Sequence, residues 1–329
     1  MTIAVRTPQA HEFPAAARLL FGQLPESEQG ERSDAMLAAL ASGEISAEGI
    51  LIAEQQGVLV GAILSALQPD KTAFVWPPEV RESSDSQLVA DALLQALARR
   101  LDERGAWLGQ CILQIDDARD RAALSRNGFP HLTDLHYLEN RSLANRLSEI
   151  QRTENLGRRF RRFDSMSSPP APNLDSEPYD FSRNHRRFVE MLERTYVETF
   201  DCPEISGSRT ADEALESHRL SGDFEPARWK LYRTDGCDVG VLLMNDHPEQ
   251  DAWEITYLGV AREYRGRGYG LAMIERGCSE ARAAGRSSVL VAVDCRNQVA
   301  KTIYEAAGFV EFAVRAVHVR VCPDRARAL

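Results

Sequence analysis

The stretch Arg265-Gly266-Arg267-Gly268-Tyr269-Gly270 decides how this chain is interpreted. It follows an apolar run over residues 255–260 that predicts a strand, and it opens an amphipathic pattern over residues 271–284 that predicts a helix. Alternating glycines let the backbone turn its N–H groups inward with no Cβ atom in the way. The helix N-terminus adds partial positive charge and the two arginines add full charges, so the segment is a candidate cradle for a pyrophosphate.

The spacing of the glycines excludes two common phosphate-binding loops. A dinucleotide-binding turn needs a third glycine where this chain has Leu271, and a P-loop needs the pattern G-x-x-x-x-G-K-[ST], which is absent. A glycine-rich turn without a ligand, or an arginine-glycine segment that contacts RNA, are the alternatives that the loop alone leaves open.

A second motif follows a buried strand predicted over residues 287–293. Steps of three and four residues place four side chains on one helical face: Asn297, Ala300, Tyr304 and Gly308. Asn297 also suits the N-cap of that helix. In order and spacing, the loop and the pattern N-x-x-A-x-x-x-Y-x-x-x-G-F resemble the acyl-CoA loop and the next conserved helix of the GNAT N-acetyltransferase superfamily.

This resemblance implies a fold and a co-substrate. The fold would be an α/β domain with a mixed, twisted β-sheet flanked by helices, in which the strand before the loop and the strand after the helix splay apart. The pantetheine arm of acetyl-CoA would lie in that gap, and the pyrophosphate would lie on the glycine loop. The resemblance therefore predicts these cofactor-binding residues: Leu258, Gly259, Val260, Arg265, Gly266, Arg267, Gly268, Tyr269, Gly270 and Asn297.

Acyl transfer to an amine calls for a base. An alkylammonium group has a pKa of about 10.4, so forming the neutral amine at pH 7 costs roughly 4–5 kcal/mol. Glu254 lies six residues before Val260, a position that resembles that of the catalytic glutamate in histone acetyltransferase members. Simple alternation predicts that Glu254, Thr256, Leu258 and Val260 share one face of the strand. A solvated glutamate at the edge of the sheet is the alternative.

Two further groups complete the chemistry that the resemblance implies. A backbone N–H near Val260 would stabilise the oxyanion formed by attack on the thioester. Tyr304 matches the general acid that protonates the departing thiolate, and a core tyrosine packed under the sheet is the alternative. The predicted catalytic residues are thus Glu254 and Tyr304.

The chain repeats itself at an offset of 180 residues. Four residues of the second half, Val260, Gly285, Gly308 and Phe309, correspond without a gap to Val80, Gly105, Gly128 and Phe129. Self-similarity over such a span predicts two copies of one fold, and 329 residues suit two domains. We predict a first GNAT-like domain over residues 1–145, a linker over 146–175 and a catalytic domain over 176–329.

The first copy has lost the phosphate loop. At the positions of residues 265–270 it carries Asp85-Ser86-Gln87-Leu88-Val89-Ala90, so a phosphate would meet Cβ atoms and a negative charge. Asn297 corresponds to Asp117 and Tyr304 to Leu124. We predict a degenerate, structural copy that packs on the second and forms part of the substrate cleft. A regulatory ligand site in this copy is the alternative.

Composition sets the remaining expectations. The formal net charge is −10, so no nucleic-acid partner is expected, although Arg158-Arg-Phe-Arg-Arg-Phe163 is locally basic beside a proline- and serine-rich stretch at 167–172. No apolar run is long enough for a membrane span, and no secretory signal is present. The six cysteines are scattered without a C-x-x-C pair, which indicates neither a zinc site nor a disulfide framework and fits a cytoplasmic protein.

The predicted function is an N-acyltransferase that moves the acetyl group of acetyl-CoA to a primary amine of a small molecule, by direct attack and without a metal. A non-catalytic acyl-CoA-binding sensor or scaffold, a protein or peptide N-acetyltransferase, and transfer of a longer acyl group are alternatives, and a homodimer is compatible with the sequence. Residues 195–210 are expected to line the acceptor side. There, Glu198, Asp201 and Glu204 could attract a cationic amine, whereas Arg209 could hold a carboxylate.

Overall fold

The computed structural model describes residues 2–43, 45–83, 85–141, 173–202, 204–205 and 209–322. The chain divides into two compact units, one containing Met1–Asp134 with the described part of Arg315–Leu329, the other containing Leu135–Val314. Most of the predicted linker, including the basic segment 158–163 and the proline-rich stretch 167–172, lies outside the described residues. In the described part of the chain no helix is long and apolar enough to cross a membrane.

The first unit is built on a mixed sheet. Its strands are β1 (Ile3–Arg6), β2 (Ile50–Gln55), β3 (Val58–Leu67), β4 (Thr72–Val75), β5 (Glu79–Val80) and β6 (Leu108–Gln114), and its helices are α1 (Phe13–Leu20), α2 (Glu26–Ser42), α3 (Ser86–Glu103) and α4 (Ala118–Arg126). The strand order is β1-β2-β3-β4-β6, with β5 paired to β3. Among the described pairs of these strands, only β4 and β6 run parallel. Leucines at three- and four-residue steps along α3 are fully buried against this sheet.

The second unit repeats the plan. Its strands are β7 (His131–Asn140), β8 (Asp175–Pro178), β9 (Lys230–Thr234), β10 (Cys237–His247), β11 (Ala252–Val260), β12 (Ser288–Asp294) and part of β13 (Val310–Val321), and its helices are α5 (His185–Tyr196), α6 (Ala211–Arg219), α7 (Tyr269–Ala283) and α8 (Gln298–Ala306). The strand order is β8-β9-β10-β11-β12-β7, and of the strand pairs described in this order only β11 and β12 are parallel. The predicted α/β class, a mixed sheet flanked by helices, is confirmed in both units.

Each sheet is completed by a strand from the other half of the sequence. β7 leaves the first unit and pairs with β12 over Leu135 to Asn140, whereas β13 returns from the second unit and pairs with β6 over Arg315 to Val321. β7 and β13 are equivalent strands under the offset of 180 residues. The compact units therefore interleave along the chain, whereas the sequence assigned each copy one continuous stretch, because a repeat reveals the order of elements and not which strand pairs with which.

Two cores cover the two faces of the second sheet. One face packs against α7 and α8 through residues that include Leu242, Met244, Ile255, Met273, Ile274, Tyr304 and Phe309. The other face packs against α5 and α6 through residues that include Phe188, Leu192, Leu215, Trp229, Val241 and Leu243. Side chains of the central strands are thus directed to one helical layer or the other, and this division decides which predicted site residues can meet.

Candidate active site

A gap opens between β11 and β12. The two strands pair from Ala252 with Ser288 up to Ile255 with Val291, and no pairing continues beyond that point. Past it, β11 stays bonded to β10 and β12 stays bonded to β7. Because a strand paired on one side directs alternate backbone groups to the other side, residues 256–260 and 292–294 present N–H and C=O groups to the gap.

A β-bulge marks the start of this gap. On β10, Leu243 lies opposite Tyr257 and Met244 lies opposite Ile255, so Thr256 has no opposing residue. An extra residue of this kind disrupts the ladder locally and bends the strand. The bend coincides with the last residue of β11 that pairs with β12.

The bulge reverses the direction in which later side chains point. Leu258 and Val260 pack on the same side as Ile255, with α7 and α8, whereas Tyr257 packs on the opposite side with α5 and α6. Glu254 precedes Ile255 and therefore points to the side of Tyr257. The predicted common face of Glu254, Thr256, Leu258 and Val260 is wrong, since simple alternation takes no account of a bulge.

The glycine loop forms an open helix N-terminus. Gly266 and Gly268 have φ angles of +74° and +80°, and α7 begins at the next residue, Tyr269. A Cβ atom at either glycine would meet no atom within 4 Å, so the backbone conformation rather than packing requires glycine here. No described residue accepts a hydrogen bond from the backbone N–H groups of residues 266–271. This arrangement is suited to an anionic ligand.

The two arginines of the loop differ in their contacts. Arg265 donates hydrogen bonds to the carbonyl oxygens of Val260 (3.0 Å), Thr195 (2.8 Å) and Glu198 (3.2 Å), so its guanidinium holds the loop against β11 and α5. Arg267 is exposed and has neither a hydrogen bond nor an ion pair within the described residues, and its guanidinium lies over the Tyr264 ring, 5.5 Å from the centroid. The charge that is free to meet a phosphate is therefore that of Arg267.

Asn297 is the N-cap of α8. Its side-chain oxygen accepts a hydrogen bond of 3.1 Å from the backbone N–H of Ala300. The capping role and a contact with acetyl-CoA are compatible, and the second stays a prediction.

Tyr304 is a residue of the core between α8 and the sheet. It is 4% exposed, and its ring packs against Phe309 with 5.3 Å between centroids. Its hydroxyl has no hydrogen-bond partner in the part of the chain that the structure describes. Burial, followed by the negative charge of Asp201, raises the pKa of the Tyr304 phenol, so the hydroxyl keeps its proton at neutral pH. Packing in the core and a role as proton donor are compatible for this side chain, and the second stays a prediction.

Glu254 lies where β11 and β12 are still paired, opposite Leu290. β11 is a central strand, so Glu254 is not an edge residue, and its side chain is 29% exposed. Its carboxylate lies 2.9 Å from Nε2 of His247, and this hydrogen bond is the main cause of the raised pKa of His247. A carboxylate with a histidine partner has a route for passing a proton to solvent.

A set of hydrogen bonds that fixes the segment after α5 to the end of β12, which we call the tether, was missed by the sequence analysis. Asp294, 2% exposed at the end of β12, accepts hydrogen bonds from the backbone N–H of Cys202 (3.0 Å) and from the guanidinium of Arg296 (2.6 Å). Arg296 also pairs with Glu204. The segment after α5 is therefore fixed to the end of β12. The only signal of this contact in the sequence is that Asp294 ends a predicted buried strand and lies two positions before Arg296.

In the first unit the residues at the corresponding helix N-terminus make hydrogen bonds within the chain, although no side chain caps the helix. Asp85 is the N-cap residue of α3, and its carboxylate accepts a hydrogen bond of 3.0 Å from Gln55. The Ser86 hydroxyl accepts a hydrogen bond of 2.8 Å from the backbone N–H of Ser83. These contacts agree with a lost phosphate loop, and the structural role of the first copy stays a prediction.

The splayed parallel strands, the bulge and the open glycine loop define an acyltransferase fold of the GNAT type. Residues 189–309 match the model of the Acetyltransferase (GNAT) family.

Curated relatives are named mycothiol acetyltransferase. The chain is 28% identical over 160 residues to the protein from Thermobispora bispora, which covers 46% of this chain and 52% of that protein. It is 31% identical over 108 residues to the protein from Streptomyces griseus, which covers 33% and 35%. The matches thus span about half or less of the length of these relatives.

Solved structures share the fold over the whole chain. A GCN5-related N-acetyltransferase from Sphaerobacter thermophilus has a TM-score of 0.60 at 17% identity and covers 97% of this chain and 96% of that chain. A GCN5-related glucosamine N-acetyltransferase region of a fungal multi-domain GH3 beta-N-acetylglucosaminidase has a TM-score of 0.58 at 16% identity and covers 96% and 38%. The predicted superfamily is confirmed.

Proposed function

We propose that this protein is an N-acetyltransferase that transfers the acetyl group of acetyl-CoA to the primary amine of a small molecule. The observation that carries the proposal is the open N-terminus of α7 at the mouth of the β11–β12 gap. Its backbone N–H groups lack acceptors in the described chain, and Arg267 beside them has no ion pair there. These features suit a diphosphate at one end of an extended ligand whose other end lies in the gap.

The gap supplies the groups that acyl transfer needs. The pantetheine arm would hydrogen-bond to the backbone of residues 256–260, and one N–H there would receive the developing oxyanion. The amine nitrogen attacks the thioester carbonyl, the C–S bond breaks, and the thiolate leaves. Both substrates bind before transfer, so no acyl-enzyme is formed.

Two side chains would move the protons. Glu254, directly or through water, takes the proton that the amine loses, and His247 at 2.9 Å can pass it on. Tyr304 gives its proton to the leaving thiolate, for which a phenol that stays protonated is suited. Each of these steps contributes typically about 10²–10⁴-fold to a rate.

Calorimetric titration with acetyl-CoA tests the first half of the proposal. Wild-type protein is expected to bind, and Gly268→Asp is expected to abolish binding, because it places a carboxylate in the cradle and a side chain at a φ of +80°. Gly285→Asp is the matched control, since Gly285 has a φ of +84° and equally open surroundings beyond the other end of α7. That variant is expected to share any backbone strain and to keep binding.

Turnover tests the second half. Release of free thiol from acetyl-CoA is measured against a panel of small primary amines, with basic peptides as the comparison class. Amine-dependent release supports the proposal. Tight binding of acetyl-CoA without release from any amine would instead indicate a sensor or scaffold, and no binding of acetyl-CoA or of longer acyl-CoAs would overturn the proposal altogether.

A further inference from the structure

The face of the second sheet to which Glu254 points is only partly covered by helices. The core under α5 and α6 involves β9, β10 and β11, and it includes none of the described residues of β12, β7 or β13. On the first half of β13, Val310 is 70% exposed and Phe312 is 58% exposed. Apolar side chains are thus left uncovered beside the strand that carries the candidate base, and exposed apolar surface of this kind often marks a ligand site.

The strand registers bring the uncovered side chains together. Glu254 on β11 lies opposite Leu290 on β12. Two residues further along β12, Ala292 lies opposite Tyr137 on β7, and the Tyr137 ring contacts that of Phe312 on β13 with 6.3 Å between centroids. Opposed residues direct their side chains to the same face of a sheet, so all of these lie on the side of Glu254. We call four of them the apolar floor: Leu290, Ala292, Tyr137 and Phe312.

The alternate residues of β12 agree with this assignment. Val289, Val291 and Val293 are buried in the core under α7 and α8. Leu290 and Ala292 are partly exposed and belong to neither core of the described second unit. β12 therefore packs one side into the core and presents the other side to solvent.

Ala292 lies at the edge of the β11–β12 gap, as the first residue of β12 beyond the pairing with β11. Its methyl group lies between Leu290 and Asp294 along the strand and beside Tyr137 on the next strand. A small side chain among larger ones makes this the lowest point of the floor. By strand geometry its Cα is at least about 8 Å from that of Glu254. A flat group over the methyl would contact Leu290 and Tyr137, with the candidate base a short chain away.

An attacking amine has to reach the gap from the side of the floor. On the other side lies the core under α7 and α8, against which Leu258 and Val260 pack. The ammonium group of an acceptor would then meet the carboxylate of Glu254. The next carboxylate in the same row, Glu139, is 14% exposed and already paired with Arg141 at 2.6 Å. The rest of the acceptor would meet apolar side chains.

We propose that the apolar floor binds an aromatic ring of the acceptor, so that the substrates are primary amines with a ring two or three carbons from the nitrogen. The inference rests on the proposed function and names its acceptor class. Edge-to-face or offset contacts with Tyr137 and Phe312, at centroid distances of about 4.5–7 Å, favour a ring over an alkyl chain. A polyamine or an amino sugar would instead place polar groups on apolar side chains that offer them no hydrogen bonds.

Binding to the CoA complex tests the floor without turnover. Calorimetric titration into protein saturated with CoA compares 2-phenylethylamine with two polar amines, 1,4-diaminobutane and glucosamine. The wild type is expected to bind 2-phenylethylamine about tenfold more tightly than either polar amine. Phe312→Ala removes one ring of the floor and Ala292→Leu fills its lowest point. Each is expected to weaken 2-phenylethylamine binding about tenfold and to leave the affinity for CoA unchanged.

Phe181→Ala is the matched control, because Phe181 is also an exposed phenylalanine of the second unit and lies outside the floor. That variant is expected to bind all three amines as the wild type does. Because Phe312 is exposed, its truncation is not expected to disturb the fold, and unchanged CoA affinity checks this.

Three results would overturn the inference: no binding of 2-phenylethylamine to the wild-type CoA complex, equal or tighter binding of a polar amine, or unchanged affinity in both Phe312→Ala and Ala292→Leu. Failure of the proposed function is distinguishable in the thiol-release assay. Ring-selective binding without thiol release would support the floor and overturn the proposed function. Thiol release with a polar amine as the best substrate would keep the proposed function and overturn the inference.

Discussion

The guanidinium of Arg265 donates a hydrogen bond of 2.8 Å to the carbonyl oxygen of Thr195, in the last turn of α5. Two further bonds from the same side chain reach the end of β11 and the segment beyond α5. The last carbonyls of a helix lack intrahelical partners, and a cation is stabilised there by the helix dipole. One arginine thus connects the glycine loop to the strand and to the helix on either side of it.

Arg265→Ala is expected to lower the free energy of unfolding by about 1–2 kcal/mol, because several charge-assisted bonds from a partly exposed side chain are lost. Arg267→Ala is expected to leave the free energy of unfolding unchanged and to weaken acetyl-CoA binding about tenfold. The loss of affinity is expected to be smaller at high salt. Chemical denaturation and calorimetry at two salt concentrations check both. Equal free energies of unfolding for Arg265→Ala and wild type would show that the three hydrogen bonds do not stabilise the loop.

Gly259 allows close approach of β11 to α5. A Cβ atom at this position would lie 2.7 Å from the Cβ of Thr195, inside van der Waals contact. Gly259→Ala is therefore expected to cost about 1–3 kcal/mol of unfolding free energy, the usual penalty of overpacking. Gly30→Ala is the control, since Gly30 lies within α2 with no atom near its missing Cβ, and this change is expected to stabilise by about 0.5–1 kcal/mol. Similar effects of the two substitutions would contradict the close contact.

Local sequence was sufficient to predict the glycine loop and the helices around it. Gly266 and Gly268 adopt the backbone angles that glycine favours, and Asn297 caps α8 as its residue type indicates. α7 begins two residues before the predicted position, since Gly268 already serves as its N-cap. These features depend on interactions between residues a few positions apart, which a single sequence reveals.

Features that depend on distant residues were not predictable. The bulge at Thr256 is defined by the register of β11 against β10, and it reversed the expected relation between Glu254 and Leu258. The tether at Asp294 joins residues far apart in the chain. β7 and β13 are equivalent strands, so local propensity is the same for either pairing. It does not predict that β7 pairs with β12 and β13 with β6.

The pair formed by His247 and Glu254 predicts a pH dependence of stability. The hydrogen bond to Glu254 is the first cause that raises the pKa of His247 in the folded protein. A raised folded pKa means that the stabilisation is fully present below the unfolded pKa of about 6.5 and is lost as pH rises through the folded value. Glu254→Gln is therefore expected to cost about 0.5–1 kcal/mol at pH 6 and much less at pH 9.

Denaturant unfolding of wild type and Glu254→Gln across this range measures the difference. Glu275→Gln serves as the control, because Glu275 is an exposed residue of α7 with no ion pair in the described structure. That variant is expected to follow the wild-type pH profile. A cost of Glu254→Gln that is the same at both pH values would show that protonated His247 does not contribute to the pair.

Removal of the Tyr304 hydroxyl is expected to change catalysis without changing the stability of the fold. Tyr304→Phe removes one oxygen that has no described partner, so the free energy of unfolding is expected to stay within about 0.5 kcal/mol of wild type, and acetyl-CoA affinity is expected to be retained. If the phenol protonates the departing thiolate, kcat falls about 10²-fold or more. Tyr232→Phe is the matched control, because Tyr232 is 1% exposed in the same core and burial also raises its pKa. Thiol release at saturating acetyl-CoA measures both variants, and equal rates would mean that the Tyr304 hydroxyl takes no part in the transfer.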